Sequence, residues 1–293
     1  MIYVFMIIHI GIFVLIYEII RNYLTTKRYH AVLIAFLVVF SRPMLYSLER
    51  GNTIMITVLL TSVFLLNYNS ENKVKREMAI ISLAFAAAFK ITPALLGVLL
   101  LKDHKNWKLA LRAILYGIIV FGVPFFFLND NPFRSGIQLI RNIQSNLTTY
   151  SRWSGLTMEA CLRSAGVRLS DTVVIIMKYL ICGFLVFGSF MVKDKWKKVM
   201  MISLVLVTAP SHSGNYCMLY MIPSFVLFMN EKEHKAIDWL TFILILFTLQ
   251  PYLNVINTNY FRPQICLLLF SGAMIFYTIR EGIEIHRKSR TVL

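Results

Sequence analysis

Lys90, Thr92 and Pro93 stand in "AFKITPA" (residues 88–94), inside the apolar run Ile80 to Leu101, where Lys90 carries the only charge. A charge at the centre of a bilayer costs at least about 2.5–3.5 kcal/mol on insertion scales. A proline in a helix interior removes a backbone hydrogen bond. One continuous span therefore fits poorly, and two short arms meeting at a tip satisfy both residues. Thr92 is then the N-cap of the returning arm, with Pro93 in its first turn. The free N–H groups and positive dipole end of that arm point outward beside the Lys90 ammonium. Paired in this way, they make a phosphate seat at the membrane surface; the competing reading is a lysine snorkelling at a helix end.

A second break, "APSHSGNY" (Ala209 to Tyr216), gathers Ser211, His212, Ser213, Asn215 and Tyr216. These uncharged donors and acceptors suit sugar hydroxyls or phosphate oxygens. His212 is an acid, a phosphate donor, or a loop histidine without a role. In "LERGN" (Leu48 to Asn52), Gly51 permits close approach of a ligand, while Arg50 and Asn52 supply donors. Glu49 and Arg50 otherwise face lipid headgroups. Lys178, inside an apolar run, is a buried cation or a snorkelling one.

The elements that must position these residues are helices in a membrane. Of 293 residues, 58% are hydrophobic and the mean hydropathy is +0.67. Apolar runs recur along the whole chain, so the expected fold is an all-α polytopic membrane protein, a single integral membrane domain over residues 1–293. No cleavable signal peptide is apparent. Candidate spans are 2–20, 31–46, 53–66, 109–128, 172–192, 238–256 and 263–280, about seven in all. Residues 78–101 and 199–229 form two further short-helix hairpins.

Net charge is +16. Basic residues collect in cytoplasmic loops and meet anionic headgroups, so nucleic acid is not an expected partner but membrane lipids are. With both hairpin tips facing outward, the outer side keeps few basic residues, chiefly Arg134, Arg141, Arg152, Arg163 and Arg168. A single crossing by 78–101 would reverse that bias. The hairpin reading puts the C-terminus in the cytoplasm and all three polar breaks on the outer face.

Residues 129–171 form the largest outer loop. Phe133, Ile137, Ile140, Ile143 and Leu147 make an apolar stripe on a helix, with Arg134 and Arg141 off it, which suits a helix lying flat in the interface. Asn146-Leu147-Thr148 matches a glycosylation sequon, a short pattern whose ordinary reading is that nothing is attached. Cys161, Cys182, Cys217 and Cys266 have neither CxxC nor Cys/His spacing, and no DxD pair, P-loop, HExxH or GxSxG occurs. No metal and no cofactor are expected.

Taken in order, four segments resemble the family 87 glycosyltransferases of the GT-C superfamily: "SRPMLYSLERGNTIMITVLL" (Ser41 to Leu60), "FKITPALLGVLLL" (Phe89 to Leu101), "LTMEACLRSAG" (Leu156 to Gly166) and "APSHSGNYCMLYMIP" (Ala209 to Pro223). The resemblance implies a GT-C-like helical bundle in a bacterial plasma membrane. It also implies transfer of mannose or another hexose from a polyprenyl-phosphate donor to a lipid or glycan acceptor on the outer face. Lys90, Thr92, Arg50, Asn52, His212, Ser213, Asn215, Tyr216 and Arg163 would hold the donor phosphate and sugar. Family members carry a catalytic aspartate in a first outer loop, ahead of a span equivalent to residues 2–20. Here the chain begins inside that span, so a missing N-terminal segment or a partner subunit is expected to supply the loop. Glu49 and Asp130 are the carboxylates left to act as base, or are interfacial charges. Two competing readings are a transporter of a lipid phosphate or lipid-linked sugar, which needs no base, and an inactive donor-binding subunit.

Overall fold

The computed structural model describes residues 2–23, 32, 38–39, 41–101, 107–128, 131–149, 155–231, 233–249 and 263–290. Most of them are helical, and no β-strand forms among them. In chain order the α-helices are α1 (Ile2–Tyr23), α2 (Arg42–Glu49), α3 (Ile54–Asn67), α4 (Lys73–Phe89), α5 (Trp107–Gly122) and α6 (Pro132–Thr149). Then follow α7 (Met158–Ser164), α8 (Asp171–Met191), α9 (Lys195–Thr208), α10 (Ile222–Asn230), α11 (Ala236–Leu249) and α12 (Pro263–Arg290). Stretches of 3₁₀-helix cover Thr92–Leu101, Val123–Phe127 and Asn215–Met221. Among the described residues, three helical stretches are long and apolar enough to cross a membrane: Trp107–Phe127, Asp171–Met191 and Pro263–Ile283. The chain packs as two compact units, Met1–Asn52 with Gly155–Leu293, and Thr53–Ser154.

In Thr53–Ser154, α3 packs on α4 and α4 on α5. The Asn72 side chain caps α4, accepting from the N–H groups of Val74 (2.9 Å) and Lys75 (3.3 Å). Arg112 and Tyr116 of α5 both bond the Glu77 carboxylate of α4. After Lys90 the chain turns back: Leu83, Ala84 and Ala87 line one cavity together with Ala94, Gly97, Leu100 and Leu101. The returning arm is a 3₁₀-helix of ten residues, about 20 Å long and unusually extended for its type. Its three-residue turn shows in its burial, since Pro93, Leu96 and Leu99 lie one turn apart on the inward face.

In the other unit the centre is the hairpin of α9 and α10. The side chains of α9 from Val199 to Thr208 are all buried, as befits a helix that is apolar on every side. Trp196 near the start of α9 meets Phe228 near the end of α10 edge-on at 5.1 Å. The Ser224 hydroxyl reaches Met200 Sδ at 3.2 Å, so the two arms run antiparallel. At one end of this hairpin the buried Lys197 ammonium joins three helices. It lies 2.5 Å from Asp194, 3.7 Å from both Asp238 and Glu281, and 4.2 Å from the Tyr277 ring centroid.

Several boundaries differ from the sequence reading. The expected span 31–46 does not run through: Ser41 is extended (ψ 145°) and α2 begins at Arg42, with Pro43 in its first turn, where a missing N–H is tolerated. Residues 24–31, 33–37 and 40 of that region lie outside the described part, as do 250–256 of the expected span 238–256. The helix expected at 263–280 continues to Arg290. The outer loop 129–171 is two different things. Its first part, α6, exposes Phe133, Ile137 and Ile140, whereas α7 is buried from Met158 to Leu162 and packs on α12 and α8.

Candidate functional site

The Lys90 hinge is built by the end of one helix and the start of the next. Lys90 is the C-cap of α4, in extended conformation (φ −148°, ψ 128°), and its N–H bonds the Ala86 carbonyl at 3.0 Å. Its side chain is half-buried. The Ile91 carbonyl accepts from Ala94 N–H at 3.0 Å, so Ile91 holds the capping position. Thr92 is the first helical residue rather than the N-cap expected from sequence, and Ile91 stands one position ahead of it.

The second predicted group lies in the other unit. α2 ends in a Schellman turn: Asn52 N–H bonds Ser47 O (2.9 Å), Gly51 N–H bonds Leu48 O (3.1 Å), and Gly51 has φ +58°. Gly51 is thus required by the turn, and no atom lies within 4 Å of where its Cβ would be. The turn presents Arg50 and Asn52 on the same side as the tip. The Arg50 guanidinium lies 5.0 Å from the Tyr46 ring centroid, and Tyr46 stacks on Tyr216 at 6.2 Å and 10°. The Asn52 side chain hydrogen-bonds the Tyr216 hydroxyl. Tyr216 also lies against Gly214, where a Cβ would meet its ring at 2.6 Å. Arg50, Asn52 and Tyr216 are therefore one aromatic-polar cluster, with Tyr46 as a member that sequence reasoning missed. Tyr46 stands four residues before Arg50, one helical turn away, which was the available signal. His9 of α1 was also missed. Its Nδ1–H donates to Phe5 O at 2.9 Å and its Nε2 lies 3.3 Å from Asn52 O. A lone histidine in an apolar span was the clue.

The tip itself is clasped. Leu156 N–H bonds Ser213 O at 2.8 Å, Gly155 pairs with Ser213 in an isolated bridge, and Gln264 Nε2 donates to Gly155 O at 3.1 Å. Ser213 is fully buried and its hydroxyl has no partner, while His212 is exposed and Asn215 half-buried. Glu49 is exposed at the end of α2. Asp130 lies outside the described residues, and so do the side chains of Asn146 to Thr148.

Arg163 lies apart from this cluster in its bonding. Thr157 caps α7 by accepting from Ala160 N–H (3.1 Å), and Gly166 (φ +86°) closes it in a second Schellman turn, with Val167 N–H on Leu162 O and Gly166 N–H on Arg163 O. The Arg163 guanidinium then bonds Asp171 (2.9 Å) and Val167 O (3.3 Å), holding the α7–α8 connection. Beneath it, Lys178 of α8 pairs with Glu159 of α7 at 2.8 Å, both side chains almost wholly buried. The second Glu159 oxygen has no partner.

Burial, with the Glu159 charge adding to it, pushes the neighbouring Cys161 thiol up to about 12. A thiol with so high a pKa stays protonated through neutral pH and is a poor nucleophile. Maleimide at pH 8 is expected to leave Cys161 unmodified in the folded protein and to label it after denaturation, as read by peptide mapping. Rapid labelling of the folded protein would contradict this environment.

The described residues contain no group of three or more His, Cys, Asp or Glu side chains placed to hold a metal ion. The family model of glycosyltransferase family 87 matches residues 1–210, a stretch that takes in Arg50, Asn52, Lys90, Thr92 and Arg163 and ends before Ser211. No curated protein and no solved structure matches the chain.

Proposed function

This chain belongs to glycosyltransferase family 87, and we propose that it transfers a hexose, mannose first among the candidates, from a polyprenyl-phosphate donor to a lipid or glycan acceptor. Membership implies a glycosyltransferase, and the apolar helices make it an integral membrane protein. The proposed setting is a bacterial plasma membrane with the hinge and tip facing outward and the C-terminus in the cytoplasm, supported by the distribution of basic residues.

The observation that carries the donor assignment is Lys90 at the chain reversal between α4 and the Thr92 arm. A cation retained in so apolar a segment marks a ligand pathway by default. In transfer, the acceptor oxygen bonds the sugar C1 as the bond from C1 to the phosphate oxygen breaks. The acceptor proton goes to a carboxylate, and the lipid phosphate departs with its charge offset by the lysine. Arg50, Asn52 and Tyr216 suit sugar hydroxyls, since they combine an aromatic face with amide and guanidinium donors.

With radiolabelled polyprenyl-phosphate mannose and a membrane lipid extract, Lys90→Ala is expected to lower transfer about 100-fold, the scale of losing one charge-stabilising group. Lys90→Arg should retain part of the activity. Donor bound and used equally well by Lys90→Ala would overturn the phosphate seat, and donor movement across vesicles without transfer would move the transporter reading ahead.

A further inference from the structure

Between Tyr3 and Tyr17, α1 carries one polar side chain, His9, and only 3% of its surface is exposed. Both ring nitrogens face carbonyl oxygens: Nδ1 that of Phe5 at 2.9 Å, one turn back on α1, and Nε2 that of Asn52 at 3.3 Å. A carbonyl oxygen only accepts, so each contact is a hydrogen bond only if its nitrogen carries a hydrogen. A neutral imidazole has one N–H and leaves a lone pair facing the other oxygen. The imidazolium has two and closes both bonds. The Phe5 ring packs on the imidazole with centroids 3.9 Å apart, a contact that positive charge strengthens.

Asn52 is the residue through which the sugar-facing cluster is held. Its N–H bonds Ser47 O, its carbonyl also lies 3.4 Å from the Ser47 hydroxyl, and its side chain bonds the Tyr216 hydroxyl. Tyr216 stacks on Tyr46, whose ring centroid lies 5.0 Å from the Arg50 guanidinium. Ser47 ties the turn to its own helix, α2, whereas His9 ties its backbone to a different one.

We propose that His9, donating from both ring nitrogens, positions the Asn52 turn and so the Arg50, Asn52 and Tyr216 side chains for the sugar of the donor. This rests on the sugar-binding role given to that cluster above. His9 is a positioning residue, since it holds a backbone carbonyl rather than the ligand. The longer bond, to Asn52, is the one lost when the ring gives up a hydrogen. Few charged or titratable groups surround it. α10, which packs on α1, has none. α2 and its turn bring Arg42, Tyr46, Glu49 and Arg50, with Tyr216 beyond them. α1 itself has Tyr3, Tyr17, Glu18 and Arg21, the last two paired at 2.6 Å. Among the described residues no carboxylate pairs with His9, so carbonyl oxygens alone hold its second hydrogen.

Asparagine places a side-chain N–H near the position of Nδ1, and glutamine near that of Nε2. His9→Asn therefore keeps the Phe5 bond and loses the Asn52 tie, whereas His9→Gln keeps the tie. With polyprenyl-phosphate mannose as donor, His9→Asn is expected to raise KM about tenfold with kcat unchanged, the pattern of lost uniform binding. His9→Gln should restore a KM near that of the parent. Between about pH 6 and about pH 9 the parent's KM should climb towards that of His9→Asn. His9→Gln should stay flat, because neither its amide nor the donor's phosphodiester titrates there. Equal KM in the two variants, or a parent profile as flat as that of His9→Gln, would overturn the proposal. Should His9→Asn fail to fold, the profiles of the parent and His9→Gln decide by themselves.

Amide hydrogen exchange of the peptide spanning residues 44–53, in detergent and without donor, separates this proposal from the sugar reading. Exchange should quicken several-fold in His9→Asn and stay near the parent's rate in His9→Gln. If the parent transfers no sugar yet exchange follows this order, the sugar reading fails and the His9 tie stands. The same exchange rate in all three proteins would overturn the tie.

Discussion

Truncating either member of the Glu159–Lys178 pair is expected to destabilise the protein by about 3–5 kcal/mol, because the charge left behind is buried and unpaired. The side chains are 3% and 4% exposed, and their 2.8 Å contact joins α7 to α8. Surface pairs such as Arg112–Glu77, which are open to water, should cost at most about 1 kcal/mol on the same test. The double variant Glu159→Leu with Lys178→Met removes both charges and keeps most of the volume. It should recover most of the loss, giving a large coupling energy in a double-mutant cycle. Unfolding in detergent, followed by loss of helicity against denaturant, measures all four corners of the cycle. A single truncation that costs less than about 1 kcal/mol would mean that the pair is hydrated in the folded protein.

The second large effect is expected at Gly155. Its φ of +81° costs an L-residue roughly 1–2 kcal/mol, and a Cβ there would lie 1.9 Å from the Ser213 carbonyl oxygen and 3.0 Å from its carbon. These are backbone atoms, so no rotamer change relieves the clash. Gly155→Ala must part the two segments, giving up the Leu156–Ser213 hydrogen bond and loosening the Gln264 contact. Loss of a buried bond adds about 1–3 kcal/mol, for a total on the order of 3 kcal/mol. Gly166→Ala is the control, since Gly166 has φ +86° with nothing within 4 Å of its Cβ position and should show the backbone cost alone. Transfer activity should fall further in Gly155→Ala than stability alone explains, because the same clasp holds the tip that carries His212, Asn215 and Tyr216. Equal unfolding midpoints for the two variants would remove the clasp from the account.

The helical class, the membrane setting and the family were legible in the chain itself. Apolar runs of helical length leave few alternatives in a bilayer, and short motifs in a fixed order carry the family. The reversal at residues 78–101 was legible for the same kind of reason: a lysine and a proline in one apolar run conflict with a single span. The glycine at position 51, singled out for permitting close approach of a ligand, also has a structural role, since it closes a Schellman turn.

What escaped sequence reasoning involves partners far apart in the chain. Glu159 and Lys178 are 19 residues apart on two helices, and nothing in either segment gives their relative rotation. Arg163 reads as a free guanidinium until Asp171 is seen to take it, and Tyr46 reads as one aromatic among many until it stacks on Tyr216. The 3₁₀ form of Thr92–Leu101 is likewise a packing outcome, for Leu and Ala favour the α-helix by propensity, and only the neighbouring walls select a three-residue repeat. By itself the sequence determined helices, membrane and family, because hydropathy and backbone hydrogen bonding act over a few residues. Which polar side chains are sealed in buried pairs was decided only by the tertiary structure, because burial and charge pairing depend on elements that meet in space.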